Sequence, residues 1–177
     1  MRRVVRTSRG FTLIEAIAAI VVLAIVSSAS TSIIWAAVHS FEKGAETARL
    51  QSEASIAMER MIRDLRAVPL NAEDAPDISS VTAESITWNN GTRSLALNGS
   101  DLVLTVSGIE RVLLSNVTGF GVQAYDEANT AMASSLSGSA CDPIRRLSLE
   151  VAVARGEASS TVRTKVFLRC MMLEGVQ

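Results

Sequence analysis

The sequence predicts an α+β protein: a long N-terminal helix, its first half able to span a membrane, packed on an antiparallel β-sheet head. Three observations carry that prediction. Residues 16–38 hold no ionisable side chain, and residues 11–26 are strongly apolar. Over residues 41–66 the apolar positions recur at helical spacing. Beyond residue 82 the period falls to two, with Asn-Gly turn signals between short alternating runs.

The leader, residues 1–10, carries Arg2, Arg3, Arg6 and Arg9 and no acid. The uncharged stretch after it would make about 35 Å of helix at 1.5 Å per residue, enough to cross a hydrocarbon core of about 30 Å. Arginines precede it and no comparable basic run follows, so the positive-inside rule keeps the N-terminus cytoplasmic and sends the chain after His39 across. The run FEKGAETARLQSEASIAMERMIRDLR then continues the helix, with Arg49/Glu53, Glu59/Arg63 and Arg60/Asp64 spaced as i,i+4 pairs. Leu50, Ala54, Ala57, Met58, Met61, Ile62 and Leu65 form one apolar stripe. Pro69 ends it by pushing the preceding residue out of the α region. Residues 12–67 thus read as one helix about 84 Å long. Gly44 is its weak point, at about 1 kcal/mol relative to alanine.

Residues 71–82 (NAEDAPDISSVT) read as a polar linker. Strands are expected at 85–89, 93–97, 102–106, 110–114, 119–125, 146–154 and 161–169. Asn90-Gly91 and Asn98-Gly99 read as type I′ hairpin turns, which need positive φ at both central residues. Residues 128–140, rich in Ser, Gly and Ala, read as a loop. A helix laid on such a sheet buries one face of each, as a head of this size requires.

Composition excludes several function classes. A formal net charge of −1, with no basic cluster beyond the first nine residues, argues against nucleic-acid binding. Aromatics at 4 % do not furnish a stacking platform. His39 is the single histidine, so a histidine metal cluster is ruled out and a Ser/His/Asp or Cys/His relay could draw on this residue alone. Next to Trp35 it reads as a residue of the membrane interface. Lys43 and Lys165 are not placed for a Ser–Lys device, and Asp126-Glu127 lacks a calcium-loop pattern. Gly119 and Gly121 lack the helix that a phosphate loop needs. No enzyme, cofactor or metal is expected. The only cysteines, Cys141 and Cys170, have 28 residues between them. In an oxidising compartment a disulfide between them would contribute roughly 3–4 kcal/mol; the alternative is two small unpaired apolar side chains.

Glu15 is the anomaly. A charge in an apolar span costs about 2.5–3.5 kcal/mol if it reaches the bilayer centre. Neither a secretory signal cut near Ser28-Ala29-Ser30 nor a plain anchor accounts for it. The run Arg9-Gly10-Phe11-Thr12-Leu13-Ile14-Glu15 resembles the processing site of type IV pilins and of the pseudopilins of type II secretion. That resemblance implies a membrane prepilin peptidase that cuts between Gly10 and Phe11 and methylates the new amine of Phe11. It implies a leader at 1–10, an assembly helix at 11–38, its amphipathic continuation at 39–68 and an extracytoplasmic head at 69–177. It also implies other pilin-like subunits, a membrane assembly platform and lipid as partners, in the inner membrane and then in a filament. Glu15, one turn from Phe11, can meet an ammonium in its own chain or in a neighbour, which makes it an assembly residue. Many pilins carry proline where this chain has Ser32. The run at 57–66, the GFGVQAYD stretch and the Pro143-led strand resemble J-type minor pseudopilins, a pattern that a minor pilin of a type IV or competence pilus would share. A membrane-tethered binding module is the reading from a different class.

Overall fold

The computed structural model describes residues 12–170. Helix α1 runs Leu13–Arg66, within a residue of the expected span at each end. Its last turn tightens: the Ala67 N–H reaches the Asp64 carbonyl and the Val68 N–H that of Leu65, each at 3.2 Å, just before Pro69. The helix is unbroken at Ser32. The chain divides into two compact units, residues 1–43 and 44–177, and α1 contributes to both.

In the first unit the helix is long and apolar enough to cross a membrane, and its most apolar window buries nothing. Its large side chains, from Leu13 to Val26 and again at Ile33, Ile34 and Trp35, are exposed. The polar stretch between them is quieter than its composition suggests. Ser28 donates to the Ile25 carbonyl at 2.9 Å, Ser30 to Val26 at 2.8 Å, Thr31 to Ser27 at 2.9 Å and Ser32 to Ala29 at 2.8 Å. Each of these four hydroxyl protons is satisfied inside the helix, which removes much of the cost of placing it in lipid. The rings of Trp35 and His39 stack 4.9 Å apart, and the imidazole lies 3.6 Å from Glu42.

In the second unit α1 buries Leu50, Ala54, Ala57, Met58, Met61 and Leu65, the stripe that the spacing predicts except for Ile62, which is half-buried at its edge. Strands β1 (Ile78–Val81), β2 (Ser85–Trp88), β3 (Arg93–Asn98), β4 (Asp101–Val106), β5 (Ile109–Leu114), β6 (Val117–Tyr125), β7 (Leu136–Ser137), β8 (Arg146–Arg155) and β9 (Ala158–Phe167) follow. They form two antiparallel sheets, β5-β4-β3-β2-β1-β7 and β6-β8-β9. Strand β6 lies against β2, β3 and β4, and the Val122 N–H meets the Ala83 carbonyl at 2.9 Å. Trp88, Ile86, Leu95, Leu102, Leu147 and Leu149 fill the core.

Several elements correct the sequence reading. Strand β1 lies inside the expected linker; Ile78 and Val81 are buried and bracket two serines that hide the alternation. Strand β7 lies inside the expected loop, where Leu136 pairs with Val81, and a short 3-10 turn, Gly138–Cys141, follows it. Strand β9 starts three residues early because Gly156-Glu157 close a tight hairpin, with Arg155 opposite Ala158. At Asn98 opposite Asp101 the central turn residues are Gly99 and Ser100. Only Gly99 has positive φ there, as a II′ turn requires. Positive φ at both residues is found at Asn90-Gly91, as expected, though within a four-residue loop between Trp88 and Arg93, and also in the two-residue turn Ser107-Gly108, which carries no Asn-Gly signal.

Charged groups fasten the helix to the sheets. Asp64, almost buried, accepts from Arg60 at 2.9 Å and from Arg93 of β3 at 3.3 Å. Arg155 at the end of β8 reaches Glu46 at 3.1 Å and Glu53 at 3.3 Å. Arg49 also meets Glu53, at 3.0 Å, as its spacing predicts. Glu59 and Arg63, although equally spaced, form no ion pair among the described residues.

Candidate functional site at the start of helix α1

A helix leaves its first N–H groups without intrahelical partners, and this chain answers with a threonine and a glutamate. The Glu15 N–H donates to Thr12 Oγ1 at 3.3 Å. In return Glu15 Oε2 accepts from the Thr12 N–H at 3.4 Å and from its hydroxyl at 3.3 Å. This is the reciprocal arrangement of a capping box. The first intrahelical bond follows, from the Ala16 N–H to the Thr12 carbonyl at 3.1 Å.

The geometry gives Glu15 a direction. Its carboxylate is turned back toward the N-terminal end, where the helix dipole is positive. It is exposed, and so are its apolar neighbours Leu13, Ile14 and Ile17. All its hydrogen bonds are longer than the roughly 2.7–3.2 Å of a well-formed N–H···O bond. The group is held loosely by neutral donors and can accept a charged one.

Of the sequence-derived sites, Gly10 and Phe11 lie outside the described residues. Cys141 is fully buried, under β1, and Cys170 packs against the same core. The desolvation of Cys141, with the nearby Asp142 carboxylate second, raises its thiol pKa. Asp126 Oδ1 accepts the Thr130 N–H at 2.7 Å and so closes a turn. Lys165 Nζ stands 4.5 Å over the Tyr125 ring. Among the described residues no three His, Cys, Asp or Glu side chains gather as a metal site. Sequence reasoning passed over the capping box, although Thr-x-x-Glu announces it. It also passed over the back-bonded hydroxyls, which a run of serines on a helix makes available.

A family of sequences described as the prokaryotic N-terminal methylation motif matches residues 5–31. No curated protein and no solved structure matches the chain. The matched segment spans the expected cut, Thr12, Glu15 and the back-bonded serines up to Thr31. It supports a type IV pilin-like subunit, with processing by a prepilin peptidase and assembly with other pilin-like subunits implied by the motif. Together with the exposed apolar helix it fits a single-pass membrane-anchored protein.

Proposed function

We propose that the chain is a minor pilin-like subunit, a pseudopilin of a type II secretion pseudopilus. It is stored in the inner membrane with its head outside the cytoplasm and is drawn into a filament through its N-terminal helix. The reading rests on one coincidence. The methylation motif matches residues 5–31, and within that segment a carboxylate faces the helix start of an otherwise uncharged, exposed rod. Prepilin peptidase hydrolyses the Gly10–Phe11 bond, and a methyl group from a sulfonium methyl donor, which leaves as the thioether, replaces one proton on the Phe11 amine, the proton passing to water. Glu15 of an incoming subunit then takes the ammonium of its neighbour. In the low dielectric of a helix bundle each charge is costly alone, and together they fix an axial register.

A cytoplasmic assembly platform supplies the extraction. The cost of leaving lipid is offset because the apolar helices pack against one another. A minor pilin of a type IV or competence pilus would use the same chemistry, and partner subunits separate the two. We also propose that Cys141 and Cys170, both thiols in this structure, pair outside the cytoplasm by giving two electrons and two protons to a thiol oxidant there.

The mass of the chain isolated from its native membrane tests the proposal. Phe11 as first residue plus one methyl is the expected result, two hydrogens lighter when thiols are left unreduced. A chain that starts at Met1 would mean a tethered module, and one that starts near Thr31 a secreted one.

A further inference from the structure

A cleft at the C-terminal end of α1 has no part in assembly through the N-terminal helix. Glu59, Ile62, Arg63, Arg66 and Ala67 line it with Arg169, which follows β9, and they enclose about 520 Å³. The three arginines are exposed. No hydrogen bond, ion pair or ring contact joins any of them to another described residue. Glu59 is the one carboxylate in the lining. Arg63 and Arg66 in the last turn suit the negative end of the helix dipole. The dipole does not account for Arg169, which a different element brings to the same opening. Three guanidinium groups around one cleft repel one another until an anion enters.

We propose that this cleft docks an acidic peptide segment of a partner protein. Its carboxylates are held in the planar forks of Arg63, Arg66 and Arg169, and its apolar side chains rest on Ile62 and Ala67. Every cation of the lining is arginine, the side chain whose geometry matches a carboxylate with two parallel hydrogen bonds. The space far exceeds one phosphate, and the half-buried Ile62 would have no role with a bare anion. A lipid headgroup is disfavoured because Glu59 lies about four helical turns past Lys43, where the apolar run has already ended.

The test uses the full-length chain in zwitterionic nanodiscs and a fluorescein-labelled peptide of alternating Glu and Leu. Its partner is the same peptide with Gln for Glu. Anisotropy is expected to show binding of the acidic peptide only, lost at about 1 M salt, where the screening length falls to about 3 Å. Changing the three residues together, Arg63→Gln, Arg66→Gln and Arg169→Gln, is expected to weaken binding roughly tenfold or more. Arg→Lys at the same positions keeps part of it. The leader arginines are common to all these chains, so the difference between them isolates the cleft. An unchanged urea midpoint shows that the head still folds. The proposal is overturned by any one of four results: no binding, equal binding of the Gln peptide, indifference to the Arg→Gln changes, or arginine-dependent capture only of inorganic phosphate or of anionic vesicles. It does not depend on the assembly reading, since a Met1 start would leave peptide binding untouched and failed peptide binding would leave the Phe11 mass untouched.

Discussion

Replacement of Glu15 by glutamine separates the two duties this carboxylate can have. In the single chain it accepts from Thr12 at 3.4 and 3.3 Å. Bonds that long place its local contribution at the bottom of the capping range, about 0.5 kcal/mol. A carboxylate that faces an ammonium inside a helix bundle is another matter, because the loss of one partner of a buried pair costs about 3–5 kcal/mol. At about 1.4 kcal/mol per tenfold, the first duty predicts roughly a twofold loss of subunit association, the second a loss of about two to three and a half orders of magnitude. Thr12→Ala serves as the control, since it removes the hydroxyl and keeps the carboxylate. The assay is recovery of co-assembled subunits from native membranes over a range of expression levels, after mass shows that both variants are cut and methylated. The reasoning predicts a collapse for Glu15→Gln and near-normal recovery for Thr12→Ala. Equal recovery of the two variants would reduce Glu15 to a helix cap and refute the assembly role.

Other consequences can be measured on the same chain. Asp64→Ala strands Arg93 and is expected to lower head stability by about 2 kcal/mol, while Arg60→Ala, half-exposed, stays within about 0.5 kcal/mol. Urea titration reads both through Trp88, which is 1 % exposed against 68 % for Trp35. Gly44→Ala is expected to stabilise α1 by up to about 1 kcal/mol, since nothing lies within 4 Å of an added Cβ. Gly108→Ala, at φ +79°, is expected to cost about 1 kcal/mol or more; thermal melting compares the two. In the reduced chain the Cys141 thiol is raised above its ordinary 9.0, first by burial and then by Asp142. The folded form therefore keeps a proton that the unfolded form has lost, so stability falls as pH rises past about 9. Cys141→Ala is expected to flatten that slope between urea midpoints at about pH 8 and about pH 10.

The long helix was legible because two independent signals, absence of charge and the Leu50-to-Leu65 stripe, run along one segment that Pro69 stops. The hairpins from β2 to β5 were legible in their alternation. Strand β1 was not, since Ser79 and Ser80 occupy the positions between Ile78 and Val81 and dilute the pattern. Strand β7 is two residues long and exists only because β1 offers it an edge. The division into two sheets is a tertiary fact, set by how β6 turns away from β5. At the candidate site, Glu15 stood out by its charge alone, yet its direction came from Thr12. The arginine cleft was invisible, because Arg169 meets Arg63 and Arg66 only after nine strands have been laid down.

The serines of α1 bear on how such a helix yields to a pull along its axis. Most of its grip on a bilayer belongs to Leu13 through Val26, with a lesser hold around Ile33 to Val38. Between the two lies a band of hydroxyls that already donate inward and still offer lone pairs to water. On the orientation and assembly proposed above, withdrawal therefore has a detent. Once the outer hold has slipped, the hydroxyl band can rest at the lipid surface with little strain, before the heavy load of the innermost turns must be lifted.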